Sequence, residues 1–298
     1  MRSLFTKKAL IIILILGALG VGVILVLNKK PPIEMIPTPI EIPWPTKQEI
    51  IGTSVEGRQI ESYTFGVEQK HPQTRLLFVG GIHGGYEWNS VLLAYKFIDY
   101  LKENPDLVTN NLIVSVIPSA NPDALFKVTG KEGRFVIPDV STNTAVLESA
   151  RFNAHDVDLN RNFDCKWKPE STWRSKVVSA GTAPFSEPEA LAIRDFVVAN
   201  KPDAVIFWHS QANAVYASEC NAGILPVTLD IMNAYSVASG YTPVKSFDAY
   251  PISGDAEGWL ASINIPAITV ELKTHETIEW DKNLAGIKAL FNYYSPKI

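Results

Sequence analysis

The sequence predicts an α/β protein. One globular domain is built on a mixed, mostly parallel, twisted sheet with helices on both faces, preceded by an N-terminal transmembrane helix and a Pro-rich linker. Three observations carry that expectation. Short β-type apolar runs alternate with stretches of helical period from Lys47 onward. Three of those runs end in His83, His209 and Glu271, so their C-terminal ends can share one rim, where open α/β sheets place their chemistry. Before Lys47 the composition switches to a long apolar run and then to a proline-rich stretch.

Bulk properties narrow the class. At 298 residues, 46% hydrophobic and 10% aromatic, the chain can build a large core. The net charge of −4 is spread out, with no basic block to argue for nucleic acid. Cys165 and Cys220 form no CxxC pair and make no tetrahedral thiolate site by themselves. A disulfide and two buried free thiols both fit two cysteines so far apart in sequence.

Taken in order, Arg2, Lys7 and Lys8 precede nineteen uncharged apolar residues from Ala9 to Leu27, stopped by Asn28-Lys29-Lys30. That length spans a hydrocarbon core of about 30 Å, and no small-x-small cleavage site follows it. Residues 9–27 are expected to be a signal anchor, with residues 1–8 cytoplasmic and the bulk outside; cleavage would instead give a secreted protein. Residues 28–46, proline-rich between Pro31 and Pro45, read as a semi-rigid stalk. The globular domain is 47–298. No inhibitory pro-segment is visible, so the protein is expected to be made active.

Gly52 to Arg58 has turn composition and joins two edge strands, the second from Ile60 to Phe65. Leu76 to Val79 reads as a buried strand, followed by a glycine-rich turn holding His83 and, from Glu87, a helix ending near Asn104-Pro105. Leu112 to Ile117 is a second buried strand. Ala124 to Ala150 is poorly periodic and reads as loop. Arg151 to Phe163 concentrates two arginines and three asparagines, a composition suited to a planar anion such as a carboxylate and equally to a solvated loop. Ser186-Glu187-Pro188-Glu189 reads as a capping box. Ala204 to Trp208 is a strand, followed by a helix from about Leu229 to Ser239 that stops at Gly240. A turn from Tyr250 leads into a short helix through Trp259, Ala267 to Val270 is the last core strand, and an amphipathic helix closes the chain. His71 and His275 read as surface residues, and His155 has no assigned role.

The sequence resembles the M14 family of zinc metallocarboxypeptidases over nearly the whole globular part. The resemblance rests on seven segments in order: Gly52–Arg58, Gly80-Gly81-Ile82-His83, Asn121-Pro122-Asp123, Asp158-Leu159-Asn160-Arg161-Asn162-Phe163, Ser186-Glu187-Pro188-Glu189, His209-Ser210 and Thr269-Val270-Glu271-Leu272. It looks closer to bacterial members that carry Arg-x-Asn-Ala, here Arg151 to Ala154, a group that includes murein-peptide amidases. The resemblance implies one zinc per chain held by His83, Glu87 and His209, with a coordination position left open. It implies Glu271 as general base toward the zinc-activated water and Arg151 as stabiliser of the oxyanion. Asn160 and Arg161 would clamp the substrate's C-terminal carboxylate, and Tyr250 would close over the bound residue.

Two features depart from the family. Its first motif is His-x-x-Glu, whereas here His83 and Glu87 are separated by three residues; Gly84-Gly85 is expected to loop out the extra one. Asp255 and Glu257 fall where the family lines its terminal-residue pocket. They suit a basic or amine-bearing terminal residue, and equally suit caps of the helix beginning there. Cys165 and Cys220 each follow a motif of the site, which suggests a disulfide bracing the pocket. The expected activity is carboxypeptidase hydrolysis of peptide C-termini. The alternatives are a cell-wall peptide amidase with the same residues, or a catalytically silent peptide- or wall-binding domain. Expected partners are the peptide substrate and the membrane, with no nucleic acid and no obligate protein partner.

Overall fold

The computed structural model describes residues 44–295. The expected apolar span and most of the linker lie outside the described residues. Among the described residues no helix is long and apolar enough to cross a membrane.

The fold centres on an eight-stranded sheet. Its two edge strands on one side, β1 (Lys47–Thr53) and β2 (Gln59–Phe65), are antiparallel. The four central strands are β3 (Thr74–Val79), β4 (Leu112–Ile117), β7 (Ala204–Ser210) and β12 (Ala267–Leu272), and they pair in parallel. At the other side β8 (Ala214–Ala217) is antiparallel to β12 and parallel to β11 (Thr242–Val244). The strand order is β1-β2-β4-β3-β7-β12-β8-β11, so the sheet is mixed and mostly parallel. A parallel interior needs helices on both faces, and alternation within β3 shows both. Leu76 and Phe78 pack with α1 (Trp88–Glu103), α5 (Pro226–Ser239) and α7 (Trp280–Tyr294). Leu77 and Val79 pack on the opposite face with α4 (Pro188–Asn200) and α6 (Ala256–Ser262).

Two expectations need correction, and one element had not been expected. Ala124 to Ala150 is not all loop: it holds part of α2 (Pro122–Thr129) and all of α3 (Thr144–Ser149). Both are too short to display a period, yet both are capped. The Asn121 side chain accepts from the Ala124 N–H, and Gly130 closes α2 in the left-handed region at φ 63°. Ser186 to Glu189 is not a capping box. No side chain caps α4 at Glu187, and both carboxylates turn to the 151–157 loop, where Asn153 Nδ2 donates to Glu187 at 2.8 Å and to Glu189 at 3.1 Å. A hairpin of β5 (Glu170–Trp173) and β6 (Lys176–Ser179), unmarked by any apolar alternation, stands apart from the main sheet.

Cys165 and Cys220 form a disulfide. It ties the stretch after the Asp158–Phe163 motif to the cleft wall, at the short strand β9 (Glu219–Cys220), which pairs with β10 (Gly223–Ile224). The bridge spans 55 residues, and the chain-entropy argument for such a loop gives about 4 kcal/mol. Replacing both cysteines by alanine is expected to lower stability by roughly that amount in urea titrations. An unchanged midpoint would show that the bridge adds no constraint.

Candidate metal centre

Three strand ends meet at one rim, as the alternation of elements implied. β3 delivers the chain into the turn carrying His83. β7 carries His209 in its last residues, and β12 sets Glu271 directly beside it, since the two are Cα partners in a parallel pair. Neighbouring parallel strands in register present such side chains on the same face.

The turn between His83 and Glu87 absorbs the extra residue. Gly84 sits at φ 45°, in the left-handed region. A Cβ at Gly85 would lie 2.6 Å from the Ala124 carbonyl oxygen, so only glycine lets this turn close against α2. A single 3-10 turn from Gly84 to Glu87 results, and it returns Glu87 to the site. Ser90 Oγ pins it by donating to the Glu87 carbonyl at 2.7 Å and accepting from the Gly81 N–H at 3.0 Å.

His83, Glu87 and His209 converge. His83 Nδ1 lies 2.8 Å from Glu87 Oε1, His209 Nδ1 lies 3.0 Å from Glu87 Oε2, and the two Nδ1 atoms face each other at 3.2 Å. One ligand atom from each residue lies within 4.8 Å of the others, and all three residues are buried. Two imidazole nitrogens and a carboxylate aimed at one point need a proton or a cation between them. The donor set suits a metal of borderline softness such as zinc. The far side of each ring meets a carboxylate: His83 Nε2 is 3.4 Å from Asp158 Oδ1, and His209 Nε2 is 3.2 Å from Glu257 Oε1. These nearby carboxylates act on the rings through their charge, which makes the facing nitrogens better donors.

The charges follow from these contacts. Burial opposes ionisation of Glu87, but the imidazoles of His83 and His209 overcome it and hold the carboxyl well below the usual range. Burial likewise opposes the charges of Asp158 and His209. Arg151 and Arg161 hold Asp158 well below its usual value, while Glu87 and Glu257 raise His209 well above its own. For Glu271 the balance goes the other way: burial, then the charge of Glu87, outweighs the pull of His209 and Arg151 and pushes it up to about 8. Its Oε2 is buried and without a hydrogen-bond partner among the described residues.

A pH prediction follows. Glu271 at about 8 and Asp255 at about 6, the latter raised by burial and then by Glu257, hold protons more tightly folded than unfolded. Their contribution to stability is full below about pH 4 and is lost as pH rises through 6 and then 8. His209, raised, acts in the same direction; Glu87 and Asp158, lowered, lose their contribution only below about pH 4. The metal-free protein is expected to unfold at lower urea as pH goes from 5 to 8.5. A midpoint that climbs across that window would contradict these assignments.

A cleft of about 440 Å³ opens over the cluster, and every residue singled out from the sequence lines it: His83, Glu87, Arg151, Asn160, Arg161, His209, Tyr250, Asp255, Glu257 and Glu271. Arg151 donates to Asp158 through Nε at 3.0 Å and pairs through Nη2 at 2.9 Å, while Nη1 lies 3.7 Å from Glu87. Asn160 Oδ1 accepts from the Ala256 N–H at 2.8 Å. Arg161 donates to the Thr172 and Asn160 carbonyls. Tyr250 packs edge-on against Phe247 at 4.8 Å. Asp255 does cap α6, accepting from the Gly258 N–H at 2.7 Å, while Glu257 is no cap but the partner of His209.

Two parts of the site carry no signal in the sequence. His275 is not a surface residue: it is half-buried, its Nδ1 lies 2.6 Å from Ser210 Oγ, and its ring meets Tyr86 at 4.7 Å. It lies in an irregular stretch after β12 with no periodic pattern. Trp173 and Arg174, on the unmarked hairpin, form part of the cleft wall. His155 pairs with Glu187 at 2.7 Å, away from the metal ligands.

Fold and site together define a class: a mixed α/β domain with one centre of two imidazoles and a carboxylate at its sheet rim. The chain belongs to the zinc carboxypeptidase family (Peptidase_M14), whose family model matches residues 40–283. The chain is similar to gamma-D-glutamyl-L-diamino acid endopeptidase 1 of Lysinibacillus sphaericus, 25% identical over 242 residues, covering 74% of this chain and 59% of that protein. It is 24% identical over 252 residues to carboxypeptidase O of Bos taurus, covering 77% and 65%. The chain thus spans about three-fifths of the length of the curated relatives it matches. Among solved structures, murein-tripeptide amidase MpaA from Escherichia coli O157 has a TM-score of 0.60 at 23% identity, covering 84% of this chain and 93% of that one. Thrombin activatable fibrinolysis inhibitor has a TM-score of 0.63 at 19% identity, covering 83% and 69%. These two share the fold.

Proposed function

We propose that the protein is a zinc-dependent metallocarboxypeptidase hydrolysing the C-terminal bond of peptides, with a preference for basic or amine-bearing terminal residues. The carrying observation is Arg161. Its guanidinium is buried in the cleft wall and makes no ion pair within 4 Å among the described residues, its charge reaching Asp158 and Asp255 only from further off. Nε, Nη1 and Nη2 each give one hydrogen bond to a carbonyl. A guanidinium has five N–H groups, which leaves one free on each terminal nitrogen, a fork that matches a carboxylate.

In this reading His83, Glu87 and His209 hold the zinc. When bound, zinc supplies Lewis-acid chemistry, polarising the scissile carbonyl and acidifying water. Glu271 takes the proton from the attacking water and passes it to the leaving amine. Arg151, braced by Asp158, meets the charge that develops on the carbonyl oxygen. Arg161 and Asn160 fix the terminal carboxylate, Tyr250 covers the bound residue, and Asp255 and Glu257 give the terminal pocket its negative charge.

A second reading, a cell-wall peptide amidase using the same residues, is favoured by relatives named for murein tripeptide and gamma-D-glutamyl-L-diamino acid substrates. Zinc-loaded protein should be given peptides ending in Lys, Arg, diaminopimelate, Leu and Phe beside a murein tripeptide, with products read by mass spectrometry. Faster release of Lys, Arg and diaminopimelate supports the first reading in full. Cleavage of the murein tripeptide alone favours the amidase, and no cleavage of any of them leaves only a binding domain. We also propose that residues 9–27 tether the domain outside the cytoplasm; protection of the domain from protease added to intact cells would refute that orientation.

A further inference from the structure

The described residues include seven arginines. Five pair with acids: Arg58 with Asp123, Arg75 with Glu68, Arg134 with Asp99, Arg151 with Asp158 and Arg194 with Asp195. The two that make no ion pair within 4 Å among the described residues, Arg161 and Arg174, both line the cleft. Arg161 is accounted for by a terminal carboxylate. Arg174 is not.

Arg174 is held in place. β5 and β6 pair Trp173 with Lys176, so Arg174 and Ser175 form a two-residue turn. Arg174 adopts φ 55°, a conformation that glycine or asparagine reaches at lower cost. Its Nη2 donates to the Tyr86 hydroxyl at 3.0 Å, and its Cζ lies 5.3 Å from the centre of the Trp173 ring. Tyr86 immediately precedes the ligand Glu87 and itself meets Trp173 edge-on at 5.3 Å. Arg174 is exposed, yet these two contacts orient its guanidinium on the wall of the cleft.

The same ring locates the group it would meet. Arg151 also stacks on Trp173, with its Cζ 4.7 Å from the ring centre, and Arg151 faces the carbonyl oxygen of the bond being cut. A second guanidinium on that ring falls beside the residue supplying the carbonyl. We infer that Arg174 reads a free carboxylate on the residue that precedes the scissile bond, so that the substrate carries two carboxylates, one terminal and one on the acyl side. This rests on the proposed hydrolase reading and narrows it to peptides with an acidic penultimate residue. A γ-linked glutamate presents that carboxylate from its α-carbon, and an α-linked glutamate presents it from its side chain.

The test uses four peptides ending in Lys, with γ-linked D-Glu, α-linked L-Glu, or the amide analogue of each in the penultimate position. The zinc-loaded protein and its Arg174→Ala and Arg174→Glu variants are compared by kcat/KM. Kd values for the same peptides are measured by calorimetry in the Glu271→Gln background. At least one acidic peptide should be preferred over its amide by about tenfold, as expected for one charge-assisted hydrogen bond in a half-open cleft. Arg174→Ala should bring that ratio close to one, and Arg174→Glu should invert it. The ratio is internal to each variant, so a partial loss of folded protein leaves it intact. Preference in the γ series alone identifies a murein-type peptide, and in the α series alone an acidic peptide C-terminus. A ratio near one in the parent protein, or a ratio unchanged in Arg174→Ala, overturns the inference. Hydrolysis with no acid preference removes only Arg174's role. An absence of hydrolysis removes the hydrolase reading, while the Kd ratios still decide whether Arg174 reads the carboxylate.

Discussion

Glu271→Gln is expected to lower kcat by about 10²–10⁴-fold, the range for losing a positioned general base, while zinc stays at one per chain. Geometry separates the two outcomes. Glu271 stands beside His209 across β12 and β7 but belongs to neither of the short contacts that join His83, Glu87 and His209. The amide keeps the shape of the carboxyl and loses only the proton-accepting oxygen. It also removes a carboxyl that burial raises to about 8, so the metal-free variant should lose much of the decline in stability between pH 5 and 8.5. Zinc content by atomic absorption, kcat on a C-terminal lysine peptide and urea midpoints at two pH values make the full measurement. Full activity in the variant would refute the assignment of the base, and loss of zinc would make Glu271 a ligand instead.

Arg151→Ala should be the most damaging single change for stability and activity together. The Arg151 guanidinium makes two contacts to Asp158, which is fully buried. Removing it leaves that carboxylate with the Asn160 N–H at 3.1 Å, His83 at 3.4 Å and the more distant charge of Arg161, and with no ion pair to an arginine. An uncompensated buried charge of this kind costs about 3–5 kcal/mol. Loss of the oxyanion partner should remove a further factor of about 10²–10³ from kcat. Arg151→Lys restores a charge but not the paired fork, so it should recover more of the stability than of kcat. If Arg151→Ala unfolds at the parental urea concentration, the Asp158 pair is not holding the site; if its kcat is parental, the oxyanion role falls.

Much of the site is legible in the sequence because its residues sit where patterns break. His83, His209 and Glu271 are polar residues at the ends of apolar runs, and burying them there without partners would be costly. Asn160 and Arg161 lie in a segment too polar for a core, a composition that suits a solvated loop equally well, and it is the family resemblance that singles them out. The hairpin carrying Trp173 and Arg174, the short helices α2 and α3, and His275 give no such signal. Their positions depend on what they pack against rather than on a repeating spacing. Glu187 and Glu189 mislead for the same reason: beside a helix start, a carboxylate is locally a cap, and only the approach of Asn153 gives it another partner.

Strand and helix alternation and the kinds of side chain at the rim are therefore inherent in the sequence, since each follows from local burial and chemistry, while the set of metal donors is read there only through the family resemblance. Contact across 126 residues between the rings of His83 and His209 is not, and neither is the tight turn that folds an additional glycine away and returns Glu87 to them. Nor does spacing reveal which arginines find acids and which are left facing the cleft. Those outcomes depend on packing between segments far apart in the chain, and a local pattern carries no information about such distances.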